Sequence, residues 1–179
     1  YNIAPTQPML ILRRHGDEDE WAWVRWGLVP HWAKDLAIGA RMINARGETV
    51  AEKPSFRGSF KYKRCLILAD GFYEWQQVAG QKAKLPHYIR LKDGQPFAFA
   101  GLYEIWEDKE APPEAGPYKS CTIITTNASE SVKDIHNRMP LILKPEAYEE
   151  WLDPSNKEPA KIEELLKTAY VKELKRYAV

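Results

Sequence analysis

Cysteine is scarce. Only Cys65 and Cys121 occur in 179 residues, too few for a disulfide framework in a chain long enough to own a core, so a reducing, cytosolic setting is expected. Long apolar runs are missing too. Nothing approaches the roughly 18 consecutive apolar residues of a membrane span, which excludes a transmembrane helix. Net charge is nearly absent: 26 basic against 25 acidic residues leave +1, and so no global electrostatic case for a polyanionic partner. The phosphate loop, the dinucleotide fingerprint and the Gly-x-Ser-x-Gly elbow are all lacking. Four histidines, His15, His31, His87 and His136, lie too far apart for a zinc site, and neither metal nor cofactor is expected. The start also lacks an initiator Met. Tyr1-Asn2-Ile3-Ala4-Pro5 reads like the middle of a segment and Arg176-Tyr177-Ala178-Val179 stops without a terminal signal, so both ends are expected to be missing from this chain.

Tryptophan and proline, by contrast, are plentiful, at seven and 13 residues, which favours a loop-rich domain with much aromatic surface. With 44% hydrophobic and 28% charged residues the composition is that of one globular domain spanning residues 1–179. The apolar runs predict strands over Met9–Arg14 and Trp21–Trp26, joined as a hairpin across an acidic turn. Further strands are expected at Cys65–Ala69 (central), Phe72–Trp75, His87–Leu91, Phe97–Trp106 and Ser120–Thr126. Asp93-Gly94 signals a hairpin between His87–Leu91 and Phe97–Trp106. Short helices are expected at Glu48–Lys53, from an Asn127–Ser129 cap to Ile135, from Pro145 to Trp151, and from Pro159 to Tyr170. The fold class is therefore α+β, dominated by β.

Polar islands inside these apolar surroundings are the candidates for chemistry. Asn44 and Arg46 alternate along a short extended stretch and point to one face. An amide beside a guanidinium suits a phosphate or sugar oxygen, although a turn-anchoring Asn beside a surface Arg would read the same. Glu74 lies between Tyr73 and Trp75, directly after the apolar strand. If desolvated, a carboxyl there is a candidate acid or base; the alternative is a carboxylate facing water. His136 stands two residues from Arg138 before Met139-Pro140, a rigid exit and a candidate anion site. Trp32 lies in a loop, where an exposed indole stacks a base for roughly 1–3 kcal/mol or else packs into the core. Cys65 with His136 could form a thiol hydrolase, but burial in a strand works against the thiolate.

Five blocks carry a resemblance: Tyr1–Thr6, Trp26–Pro30, Asn44–Thr49, Ala69–Trp75 and His136–Pro140. In order and spacing they resemble the SOS response-associated peptidase family, over the chain to about Trp151. The resemblance implies a strongly curved or barrel-like, mostly antiparallel sheet with short flanking helices. It implies a cytoplasmic, monomeric sensor of abasic sites in single-stranded DNA, nucleoid-associated if bacterial. Members of the family remove their own initiator Met and capture the ring-opened sugar as a thiazolidine on the exposed N-terminal Cys. On that pattern Asn44 aligns amine and sugar, Glu74 moves protons during Met removal and imine formation, and His136 is acid/base toward the sugar. Arg46 and Arg138 grip flanking phosphates with Thr125 assisting, while Trp32 and Pro5 wedge or stack against bases. The family's Met-Cys-Gly-Arg start and its C-terminal Val-Ser…Val-Asn segment are absent from the chain. A non-covalent reader of single-stranded or modified nucleic acid is the alternative.

Overall fold

The computed structural model describes residues 2–179; Tyr1, the first residue of the opening block, lies outside them. Two strands, β1 (Pro8–His15) and β2 (Glu18–Trp26), form the expected hairpin, with Leu12 opposite Trp21 and Met9 opposite Val24. Next come β3 (Asn44–Arg46), α1 (Arg57–Tyr62), β4 (Arg64–Ala69), β5 (Phe72–Gln76), β6 (Leu85–Leu91) and β7 (Phe97–Trp106). The chain continues through β8 (Tyr118–Asn127), β9 (Arg138–Pro140), β10 (Ile142–Leu143), α2 (Tyr148–Leu152), α3 (Pro159–Thr168) and β11 (Leu174–Ala178).

Five of these strands close a ring. β7 pairs β4, β4 pairs β1, β1 pairs β2, β2 runs parallel beside β8, and β8 pairs β7 antiparallel. The sheet is thus barrel-like and mostly antiparallel, with β3 added in parallel to β8. Period-2 alternation separates two cores. Met9, Ile11, Ala22, Val24, Ile67, Phe99 and Ile123 fill the barrel. Leu66, Ala98, Ala100, Leu102 and Ile124 face outward and are covered by Phe60, Trp151, Ile162 and Leu166 of the three helices. A second sheet, in the order β11-β6-β5, caps one end of the barrel through Ile89 and Leu174, with Phe72 edge-on to Phe99 at 6.0 Å.

Several expected elements differ. Asp93-Gly94 does make a turn, with Gly94 at φ 74°, but β6 and β7 belong to different sheets rather than to one hairpin. β7 is buried almost throughout and takes β4 and β8 as partners on its two sides, which leaves no edge for β6. Asp70-Gly71 is the second crossover between sheets. A Cβ on Gly71 would stand 2.2 Å from the Tyr88 ring, so any larger residue there would have to displace that ring. Residues 48–53 form successive turns closed on the Thr49 carbonyl instead of a helix, which starts only after Pro54, at Arg57. Residues 128–135 likewise turn around the Ser129 carbonyl; Asn127 ends β8 and its side chain accepts from Arg138 instead of capping a helix. The helix expected from Pro145 opens as a 3-10 turn at Pro145–Ala147 before α2, and the last helix stops at Thr168, where Tyr170 bridges to Leu143.

Candidate functional site

A cavity of about 810 Å³ opens where the barrel mouth meets the three-stranded sheet. Met9, Phe99 and Ile123 form its floor from the barrel side. Six of the eight residues singled out from sequence line it: Pro5, Asn44, Glu74, Thr125, His136 and Arg138. Arg46 and Trp32 do not. Arg46 stands two residues beyond Asn44 on the same exposed face of β3, opposite Thr125. Trp32 lies in a separate turn, 50% exposed, with its Nε1 3.4 Å from the Pro54 carbonyl oxygen.

The local folding of each segment follows from its hydrogen bonds. Trp26 Nε1 donates to the Ile43 carbonyl at 2.8 Å, and Ile123 N–H donates to that same oxygen at 3.1 Å. This pins the start of β3, buries Ala45 completely and turns Asn44 outward. Pro5 precedes Thr6, whose φ of 73° is left-handed for a β-branched residue, a strained conformation that persists only where neighbours enforce it. Here Thr6 N–H donates to Trp26 O at 2.9 Å, Arg25 Nη1 donates to Thr6 O at 2.9 Å, and Ala4 N–H donates to Gln7 Oε1 at 2.8 Å.

Glu74 is half-buried at the centre of β5, cross-strand from His87, and its Oε1 accepts from Trp75 N–H at 3.2 Å. It faces the cavity, which settles neither full desolvation nor full hydration but a partly covered carboxylate. His136 Nδ1 lies 3.1 Å from both the backbone nitrogen and the carbonyl oxygen of Arg138. The ring is therefore fixed against that peptide in either tautomer, with Nε2 free of protein partners among the described residues.

Both terminal nitrogens of the Arg138 guanidinium are engaged, while its buried Nε has no partner among the described residues. Nη1 donates to Glu48 Oε1 at 2.7 Å and Asn127 Oδ1 at 2.8 Å; Nη2 donates to Glu48 Oε2 at 2.9 Å, Thr125 O at 3.0 Å and Thr125 Oγ1 at 3.1 Å. Hydrogen bonding by Arg138 holds the Glu48 carboxyl below its usual range, and the Arg46 charge adds to the effect. One carboxylate thus stands among two arginines and leaves a net positive patch at the cavity edge. On the far side Tyr88 Oη donates to Asp70 Oδ1 at 3.4 Å, and burial, with Asp70 nearby, pushes that phenol up.

A brace links the turn before His136 to the small sheet. Arg176 pairs with both oxygens of Asp134, Gln76 Nε2 donates to Asp134 O at 3.0 Å, and His87 Nε2 lies 3.0 Å from Gln76 Oε1. Asp134 sits below the usual carboxylate range because of Arg176. Cys65 and Cys121 lie inside the barrel, outside the cavity lining. Burial pushes the Cys65 thiol well up and the Cys121 thiol up to about 12. The thiol-hydrolase reading therefore fails, since Cys65 neither lines the cavity beside His136 nor ionises readily.

Sequence reasoning assigns no role at the site to Glu48, Tyr73, Trp75, Tyr88 or Tyr177, and reads Asn127 only as a helix cap. Period-2 spacing placed Tyr73 and Trp75 on the face opposite Glu74, where both are exposed; Tyr88 and Tyr177 required the β6–β11 pairing. Among the described residues no helix is long and apolar enough to cross a membrane.

The whole chain, residues 1–179, matches the family model described as SOS response associated peptidase (SRAP). It is 48% identical to the abasic site processing protein YoqW of Bacillus subtilis strain 168, over 100% of this chain and 78% of that protein. It is 37% identical to the abasic site processing protein HMCES of Gallus gallus, over 86% of this chain and 53% of that protein. Among solved structures, a Bacteroides thetaiotaomicron protein superposes with a TM-score of 0.83 at 33% identity, covering 97% of this chain and 74% of the other.

Proposed function

The chain belongs to the SOS response-associated peptidase family, and from that membership we propose that it processes abasic sites in single-stranded DNA, as a monomer in the cytoplasm. The observation that carries this reading is convergence: Pro5, Asn44, Glu74, Thr125, His136 and Arg138, drawn from five stretches of chain, line one cavity. A kinked strand is needed for a sugar to enter, which favours single strands over duplex.

On the family's pattern the nucleophile is an N-terminal Cys upstream of Tyr1, exposed by removal of an initiator Met; in keeping with that, neither Cys65 nor Cys121 opens onto the cavity. An α-amine with a pKa near 8 leaves roughly a tenth neutral at pH 7. That amine attacks the sugar aldehyde, water leaves to give an imine, and the thiol adds across the C=N bond to close a thiazolidine. Glu74 takes the proton from the attacking water during Met removal and returns it to the leaving amine. His136, held through Nδ1, uses Nε2 to shuttle a proton at the sugar hydroxyl as the ring opens. Asn44 orients amine and sugar. Arg46 and Arg138 supply positive charge for the flanking phosphates, Thr125 fixes the Arg138 fork, and Pro5 and Trp32 stack or wedge against bases.

Full-length protein incubated with an oligonucleotide carrying one abasic site should give a heat-stable shifted band on a denaturing gel, lost when the N-terminal amine is blocked. Retained binding without any band would replace this reading with the non-covalent reader. Glu74→Gln should keep the initiator Met, seen by intact mass as an extra Met residue. Normal processing of that variant would remove Glu74 from the mechanism.

A further inference from the structure

Away from the cavity, the outer face of β2 carries an aromatic and cationic surface to which nothing above assigns a role. Along this strand Ala22 and Val24 point into the barrel, so Trp21, Trp23 and Arg25 point out. Trp21 is 55% and Trp23 66% exposed, an unusual loss of apolar burial for two indoles on one strand face. Beside Trp23 runs a groove of about 320 Å³ walled by Pro8, Arg25, Pro117, Tyr118 and Lys119.

Charge and geometry select the occupant. Arg25 lies 6.0 Å over the Tyr118 ring and is held by its bond to Thr6 O. Among the described residues neither Arg25 nor Lys119 has a carboxylate partner. Exposed aromatic rings interleaved with unpaired cations suit the alternating bases and phosphates of a single strand, since stacking tolerates any base and the cations follow the backbone. The groove and the cavity draw on the same two chain segments. Pro5 lines one and Pro8 the other; Trp26 lines one and Arg25 the other. Three residues span no more than about 11 Å between Pro5 and Pro8. At the opposite end of the hairpin Asp19 and Glu20 are paired with Arg14 and Arg13, but Asp17 and Glu18 have no cationic partner among the described residues, which sets a limit to the track beyond Trp21.

We propose that this groove is a second contact for the same DNA strand, continuing from the cavity past Pro8 onto Trp23, with Arg25 and Lys119 against its phosphates. The inference rests on the abasic-site reading. Its test uses full-length protein and oligonucleotides carrying a tetrahydrofuran abasic analogue, which lacks the aldehyde and so reports binding alone. A short oligonucleotide that fills only the cavity is compared by fluorescence anisotropy with ones extended by several nucleotides on the 5′ or the 3′ side. Wild type should gain affinity on one side only. Trp23→Ala should abolish about tenfold of that gain, and Lys119→Glu should reduce the salt slope of the long oligonucleotide by more than that of the short one. A wild type indifferent to length overturns the second contact and leaves the cavity reading standing; a wild type that binds neither oligonucleotide overturns both. Equal weakening of short and long by Trp23→Ala, or loss of a dimer on light scattering in that variant, also overturns it, by making Trp23 structural or self-associating.

Discussion

Glu48 meets Arg138 at the edge of the cavity. Its two oxygens take both arms of the guanidinium fork, a bidentate geometry that orients the cation as well as neutralising it. The folded-state pKa of Glu48 lies below its ordinary value, so the pair contributes stability above the unfolded pKa, about 4.3. That contribution fades as pH falls through the folded value, because the unfolded chain binds the proton first. Glu48→Gln should therefore be less stable than wild type from pH 7 to pH 5, with the gap narrowing at lower pH. Urea unfolding at stepped pH measures it. The Glu48 side chain is 46% exposed, so the gap should also shrink in about 1 M salt. A gap that does not narrow below pH 5 would mean that the charge of the carboxylate is not what stabilises the pair. The sequence placed Glu48 in a polar island with Asn44 and Arg46, but no one-dimensional pattern states that a carboxylate at 48 will meet a guanidinium at 138.

At the scale of elements, β11 does what no helix or loop prediction foresaw. Only Leu174 of this strand is buried, so it carries neither an apolar run nor a clean alternation; its backbone ladder to β6 holds it in place. Through Arg176 it reaches Asp134, two residues before His136. Glu74 and His136 come from different parts of the fold, and this brace, with Gln76 on β5, ties the turn carrying one to the sheet carrying the other. Arg176→Ala removes a partly exposed ion pair, worth at most about 1 kcal/mol, so melting should fall by no more than about 4 °C. Abasic-site capture should slow several-fold all the same, with faster amide hydrogen exchange over residues 130–136. If exchange there is unchanged, the turn is held by Ser131 and its bonds to Lys172 and Leu174 instead. The expected hairpin at Asp93-Gly94 shows the complementary limit. Turn chemistry was read correctly, but partner choice is decided by burial: β7 needed two neighbours inside the barrel wall, and β6 is only half covered.

Across the whole molecule, barrel closure decides where chemistry can occur. The strands themselves were legible because their apolar runs are long; the barrel was legible only through the family resemblance, because β2 and β8 meet 95 residues apart, at Arg25 and Ser120, in a parallel pairing with no local signal. Once closed, the barrel interior is a packed core and not a channel. A Cβ at Gly101 would lie 2.6 Å from Ile67 Cδ1, 2.8 Å from Ile67 Cγ1 and 3.0 Å from Cys65 Sγ, so substrate can reach only the mouth, where the cavity lies. Gly101→Ala should accordingly destabilise by about 1–3 kcal/mol through overpacking, and Ile67→Ala by about 2–5 kcal/mol through the cavity it leaves. Combined, the new methyl occupies space vacated by Ile67, so the double variant should be more stable than the sum of the two losses by about 0.5–3 kcal/mol. Chemical denaturation of the four proteins closes this cycle. Strict additivity would mean that the wall at Gly101 moves outward on its own, and a barrel that compliant would not confine the reaction to its mouth.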